Sequence, residues 1–236
     1  MEAWYTVVRF FENGGTFMYP IVLVMALGCS ITIERFVTLS LVAKRNKSAW
    51  DKLEPIIKAG QFEQARDLAS KDDSPVGQLL SAGLARQGAV RRREDVERAM
   101  EESLMAILPR LEKRTHYLAT FANMSTLAGL LGTIIGLIDA FTAVSNAELA
   151  DKAELLSASI SIGMNCTAFG LMVAIPLVLV HSLLQTKTTE LVDGLEMVSV
   201  KFLNSITTRA TYVRAAPRGA ELPAAGMAPD ALPSRA

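Results

Sequence analysis

The sequence predicts an all-α membrane protein with three transmembrane helices, two of them long and extending into a cytoplasmic helical region. Three observations lead there. Residues 14–33, 115–138 and 155–186 contain no Asp, Glu, Lys or Arg. At 1.5 Å of rise per residue, about 20 helical residues cross a hydrocarbon core of roughly 30 Å, so each run is long enough to span. The cations between the runs are unevenly placed, and that unevenness orients a membrane protein. Apolar residues repeat at three and four positions beyond the ends of the second and third runs, which is helical periodicity. A chain of 236 residues could bury one soluble core, but three uncharged spans exclude an ordinary cytosolic globule. The 24 Lys and Arg balance the 24 Asp and Glu, which argues against a nucleic-acid partner. Two cysteines cannot build a disulfide framework. Cys29 and Cys166 lie in apolar runs and read as small buried thiols.

Residues 1–14 carry Trp4, Val7, Val8 and Phe11 at helical spacing. They are expected to form an amphipathic helix on the outer interface, with Trp4 and Tyr5 at the headgroup level. Arg9 is the sole cation there, so the basic start of a secretory signal is missing. The run Ala26 to Cys29 has Ala where a lipoprotein cleavage box has Leu, and the first span, residues 15–41, is read as a retained helix. Residues 42–114 hold fifteen Lys and Arg, whereas the loop at residues 145–154 holds Lys152 alone. Lys44, Arg45, Lys47, Arg110, Lys113 and Arg114 lie near span ends, where the positive-inside rule counts best. The rule puts residues 42–114 and the C-terminus in the cytoplasm, with the N-terminus and the loop at 145–154 facing outward.

Within the cytoplasmic region, Leu53, Ile56 and Ile57, then Phe62, Ala65 and Leu68, read as short helices. Asp72 to Pro75 break the pattern, and Val76, Leu79, Leu80 and Leu84 resume it. From Glu94, the stripe Val96, Met100, Leu104, Ile107 and Leu111 predicts one long helix running on into the second span, residues 115–144, with a kink at Pro109. The third span, residues 155–186, has 32 uncharged residues and would reach about 48 Å, more than a bilayer needs. It continues as a cytoplasmic helix over residues 187–212, striped by Leu191, Leu195, Val198 and Phe202. Both cytoplasmic stripes are expected to pack against the same stripes of neighbouring subunits. Residues 213–236, rich in Ala and Pro, are expected to be a disordered tail.

The spans carry polar and small residues in patterns. Gly132 and Gly136 form a small-xxx-small pair that lets helices approach closely. The glycines from Gly129 to Gly136 are no phosphate loop, since no strand precedes them and no Lys follows. Thr126 and Thr133 share a face, either bonded to their own helix or lining a polar path. Ser157, Ser161 and Asn165 form a polar stripe on the third span, while Thr167 lies about 200° away from Asn165. Gly163, Gly170 and Ala174 share the Thr167 face, and Pro176 removes one backbone bond. No Asp, Glu, Lys or Arg lies deep in a span; Glu34, Arg35 and Asp139 sit near the ends of theirs. Hydroxyls do not titrate at usable pH, so a proton path needs a carboxylate from a partner. Asp139 and Asn165 are candidates for a proton entry or an interface.

The run Leu108-Pro109 through Ala128 to Leu137, ending in Ala140-Phe141, resembles the second helix of the MotA/TolQ/ExbB proton channel family. Cys166 to Pro176 resembles its third helix, and the resemblance covers roughly residues 15–206, including Ser74-Pro75. With three helices the chain is similar to the TolQ/ExbB branch rather than to MotA. The resemblance implies a homo-pentamer whose second and third helices line a pore around the single helices of a TolR/ExbD-type dimer. That partner bears the proton-carrying Asp. It implies pore positions at Thr133 and Thr167, and Thr126, on the Thr133 face of the second helix, is read with them as pore-lining. It also implies a bacterial inner-membrane location with the N-terminus periplasmic, and a TonB/TolA-like or other envelope effector. ExbB-type proteins often carry Glu five residues before the third-helix Thr, where this chain has Ile162.

The expected function is therefore the pore-forming subunit of a proton-motive-force-driven energy transducer, coupling inward proton flow to movement of the partner. The alternative is a stand-alone small transporter or channel, which needs a charged site of its own in the membrane. An enzyme is not expected: His116 and His181 stand apart near span ends, and no cofactor or metal site is read from the sequence.

Overall fold

The computed structural model describes residues 14–87, 93–146, 148 and 150–215. The expected interfacial helix lies, but for Gly14, outside the described residues, as does most of the expected tail. Six helices are described: α1 Met18–Ala59, α2 Phe62–Ser70, α3 Pro75–Gln87, α4 Arg93–Glu112, α5 Thr115–Asn146 and α6 Lys152–Ala215. No strand occurs among the described residues. Three helical stretches are long and apolar enough to cross a membrane, within Met18–Ala59, Arg93–Ser145 and Lys152–Thr207. The all-α class and the three spans agree with the sequence reading.

The chain divides into two compact units, one made of residues up to Val37 with Glu112–Lys187, the other of Thr38–Leu111 with the chain from Thr188 on. In the first unit, α1 buries Met18, Ile21 and Val24, and at Gly28 an added Cβ would lie 2.7 Å from the Leu177 side chain of α6. These positions recur at three and four residues, so one face of α1 packs inward. Tyr19, Leu23 and Ile33 on its other face are exposed, as lipid-facing or partner-facing residues would be. Pro176 lies inside α6, which runs unbroken through it.

The junction of α4 and α5 differs from the expected continuous helix. Pro109 sits inside α4, and the break comes at Lys113 and Arg114 instead. Arg114 adopts φ +67°, which in a residue with a Cβ costs about 1–2 kcal/mol. Contacts from α1 hold it there. The Arg114 guanidinium pairs with Glu34, and the buried Arg35 donates from Nε to the Thr115 hydroxyl at 3.3 Å. Beside them, Lys187 Nζ sits 4.0 Å over the Phe36 ring. Such a cation–π contact adds about 0.5–1 kcal/mol at an exposed site.

The second unit has a conventional apolar core. Leu53 and Ile57 of α1, Leu79, Leu80 and Leu84 of α3, Val96, Met100, Ile107 and Leu111 of α4, and Leu195 and Phe202 of α6 are all buried together. Local chemistry sets the turns. Gly60, at φ +76°, ends α1: its N–H donates to the Ile57 carbonyl and that of Gln61 to Ile56, the paired bonds of a Schellman cap. Ser74 caps α3 by accepting from Gly77 N–H at 3.1 Å, with Pro75 at the first helical position. Asn46 of α1 accepts from Val76 N–H at 3.3 Å and Asp72 from Ser74 N–H at 2.8 Å, so the start of α3 is fully bonded.

This core corrects the expectation that the α4 and α6 stripes pack on neighbouring subunits. They bury each other within one chain. The reason is that α1 continues as a single 42-residue helix to Ala59 and, with α3, supplies the apolar faces that the stripes need.

Candidate functional site

In the first unit, α5 and α6 touch backbone to backbone, and glycine makes this possible. A Cβ added at Gly129 would lie 3.1 Å from the Cα of Thr167, and one at Gly136 would lie 3.1 Å from the Cα of Gly163. From the α6 side, a Cβ at Gly163 would come within 2.9 Å of the Thr133 Cα, and one at Gly170 within 2.7 Å of the Ser125 carbonyl. Positions rising along α5 meet positions falling along α6, so the two helices are antiparallel. Gly132, half of the pair singled out in the sequence, is covered differently: its Cβ position is filled by the Cys166 thiol. The close backbone approaches are at Gly129 and Gly136.

That approach brings Thr133 and Thr167 together, with hydroxyl oxygens 3.3 Å apart and both side chains half-buried. Thr167 Oγ1 lies 2.7 Å from the Gly129 carbonyl of α5, and Thr133 Oγ1 lies 2.6 Å from the Leu130 carbonyl of its own helix. Each hydroxyl has one proton. The shorter distances assign both protons to carbonyls, so the oxygens keep lone pairs to accept from a donor. Polar groups bonded in this way rest in an apolar environment at little cost.

The other candidate residues lie elsewhere. Thr126 donates to the Ala122 carbonyl of its own helix at 3.1 Å. Asp139 is exposed, six residues beyond Thr133 on α5. Asn165 is half-buried and lines an open groove with Ser157, Ser161 and Met164, apart from the threonine pair. Ile162 points its Cγ2 to within 2.9 Å of a Cβ position at Gly15.

One seam residue escaped the sequence reading. Ser125 is fully buried and donates to the Gly170 carbonyl across the seam at 3.0 Å. Its signal was present: Ser125, Gly129, Gly132 and Gly136 recur at four, three and four residues, one small-residue face of α5.

Residues 71–197 match the MotA/TolQ/ExbB proton channel family. An ExbB homologue from Methanothermobacter thermautotrophicus is 26% identical over 196 residues, covering 82% of this chain and 68% of the relative. An ExbB-like protein of Synechocystis is 30% identical over 191 residues, covering 78% and 72%. The Tol-Pal system protein TolQ of Haemophilus influenzae is 33% identical over 111 residues, a match spanning 47% of this chain and 46% of TolQ.

Proposed function

The chain belongs to the MotA/TolQ/ExbB proton channel family, and on that premise we propose that it is the pore-forming subunit of a proton-motive-force-driven energy transducer in the bacterial inner membrane. Its second unit faces the cytoplasm and its N-terminus the periplasm. It acts as a homo-pentamer around a TolR/ExbD-type partner dimer, and inward proton flow moves that partner, which passes the motion to a TonB/TolA-like or other envelope effector. Thr133, Thr167 and Thr126 line the path. Asp139 and Asn165 belong to its outer entry or to an interface.

The observation that carries this reading is the Thr133–Thr167 pair. Two hydroxyls 3.3 Å apart, with their own protons directed at carbonyls, offer acceptor lone pairs in an apolar span. A protonated carboxyl donates to such oxygens. After it releases its proton, the hydroxyls can turn and donate to the carboxylate instead. Both protonation states of a carboxyl are thereby served by groups that never change charge themselves. The spans of this chain hold no carboxylate away from their ends, which supports giving the titrating role to the partner's Asp.

The test is reconstitution. Proteoliposomes holding this chain alone should stay proton-tight under an imposed gradient, and adding the TolR/ExbD-type partner should permit flow. A robust leak through the chain alone, abolished by Asp139→Asn, would make this subunit the titrating one and favour a stand-alone channel.

A further inference from the structure

We propose that Ser125 is a positioning residue for the Thr133–Thr167 pair, acting through the backbone of α6; this rests on the pore reading given above. Its hydroxyl had a local alternative. One turn back lies the Phe121 carbonyl, and Thr126 takes the corresponding option with Ala122 at 3.1 Å, as does Thr142 with Ile138 at 2.8 Å. Thr133 likewise donates within α5, to Leu130. Ser125 instead reaches across to the Gly170 carbonyl, in a place where it is fully buried.

Its geometry is reciprocal with that of Thr167. From α5, Ser125 donates to Gly170 of α6; from α6, Thr167 donates to Gly129 of α5. Between these two bonds the backbones meet, with a Cβ at Gly170 only 3.1 Å from the Gly129 Cα. Where glycine lets backbone meet backbone, as at Gly129 and Gly170, no side-chain knob fixes how far one helix slides along the other. Along this stretch the two directional bonds set the register, together with the Cys166 side chain seated at Gly132. If α6 slides, Thr167 loses Gly129 and moves away from Thr133. Ser125 thus holds the hydroxyl pair in line without touching it.

Two readouts on the full-length chain test the idea. The first is the carbonyl 13C shift of Gly129, read by solid-state NMR on the oligomer in lipid. Ser125 does not bond this carbonyl, but Thr167 does. In Ser125→Ala the Gly129 signal should move in the direction seen for Thr167→Val. The second is proton flux per assembled complex, co-reconstituted with the TolR/ExbD-type partner. Loss of one net hydrogen bond corresponds to a drop of roughly two- to tenfold in the population held in register, and flux should fall by that factor. Ser125→Thr, which restores the donor, should recover both signals. If Ser125→Ala does not assemble, Ser125→Cys, with a weaker donor in nearly the same shape, should show the same changes. An unmoved Gly129 signal with normal flux in the assembled variant overturns the proposal. Reduced assembly with normal flux per complex also overturns it, because a merely structural bond would behave so. Normal flux in Thr133→Val and Thr167→Val would instead remove the pore reading, and the Gly129 signal would still decide whether Ser125 sets the register.

Discussion

Alanine replacing glycine should have opposite effects at two positions of α6. At Gly170 the new Cβ would lie 2.7 Å from the Ser125 carbonyl oxygen and 3.1 Å from the Gly129 Cα, where ordinary contact begins at 3.4 Å. Both obstacles are backbone, so no flexible side chain can turn aside. The helices have to part by about 0.7 Å, the shortfall between those distances. That movement carries the Ser125–Gly170 bond from 3.0 Å past the range of a useful hydrogen bond and weakens the Thr167–Gly129 bond. Overpacking costs about 1–3 kcal/mol and each of the two weakened bonds about 1 kcal/mol, so the total for Gly170→Ala is about 3–5 kcal/mol. Gly194 lies in the same helix with no atom within 4 Å of its Cβ position. There the change removes only unfolded-state freedom, and Gly194→Ala should stabilise by about 0.5–1 kcal/mol. Thermal unfolding of the purified protein in mild detergent reads both. Gly170→Ala should melt lower and Gly194→Ala higher than the parent. A Gly170→Ala protein that melts with the parent and conducts normally with its partner would refute the backbone contact on which the site is built.

Thr133→Val and Thr167→Val each remove one hydroxyl at constant shape. Both should abolish partner-dependent proton flux, but Thr167→Val should also cost about 1 kcal/mol of stability, because its bond crosses helices whereas that of Thr133 does not; full flux in both variants would dismiss the pair as the path. Phe202→Ala should destabilise the second unit by about 3–5 kcal/mol, since the ring is fully buried and its Cε1 is 2.8 Å from a Cβ position at Gly83. Limited proteolysis of that unit should accelerate, and unchanged cleavage would count against a packed core there.

The spans were legible because charge exclusion over twenty or more residues leaves few alternatives in water. The helix break was not. Its position depends on Arg114 in a left-handed conformation, held by Glu34 and next to Thr115, which Arg35 contacts from eighty residues away. Local sequence offered Pro109 as the more conspicuous disruption, yet an α-helix absorbs the loss of that one bond. Periodicity identified the apolar stripes of α4 and α6 correctly but is silent about which chain covers them. That answer required the length of α1, whose polar surface between Val42 and Asp51 hid its continuity. At the candidate site, the glycines declared a close approach but not its register. The pair Gly132 and Gly136 is the conspicuous one in sequence, and only the antiparallel pairing shows that Gly129 and Gly136 face backbone while Gly132 faces Cys166. Ser125 was missed because a serine in a membrane helix usually bonds to its own backbone.

Ile162 gives the proposed division of labour a physical basis. The family resemblance puts a Glu at this position in many ExbB-type proteins, five residues before the pore threonine. Here the side chain is apolar and packs toward Gly15, while Gly163, its neighbour on the helix, faces Thr133. One residue of rotation, about 100°, separates the two directions. A carboxylate at 162 would therefore address the turn before α1 rather than the hydroxyl pair. Its ionisation in the span would also carry a desolvation cost. With Ile there, this chain places no titratable group of its own at position 162. In the assembly proposed above, the carboxyl that gains and loses charge is the partner's, so the solvation energy that changes with each proton is the partner's. A group that is costly to expose to an apolar wall when ionised, and tolerated there when neutral, experiences a force that reverses on protonation. The wall at the hydroxyl pair, which carries no charged group there and is held by close backbone contacts, experiences none. In the proposed assembly, movement therefore falls to the partner, and this chain supplies the frame against which that movement does work.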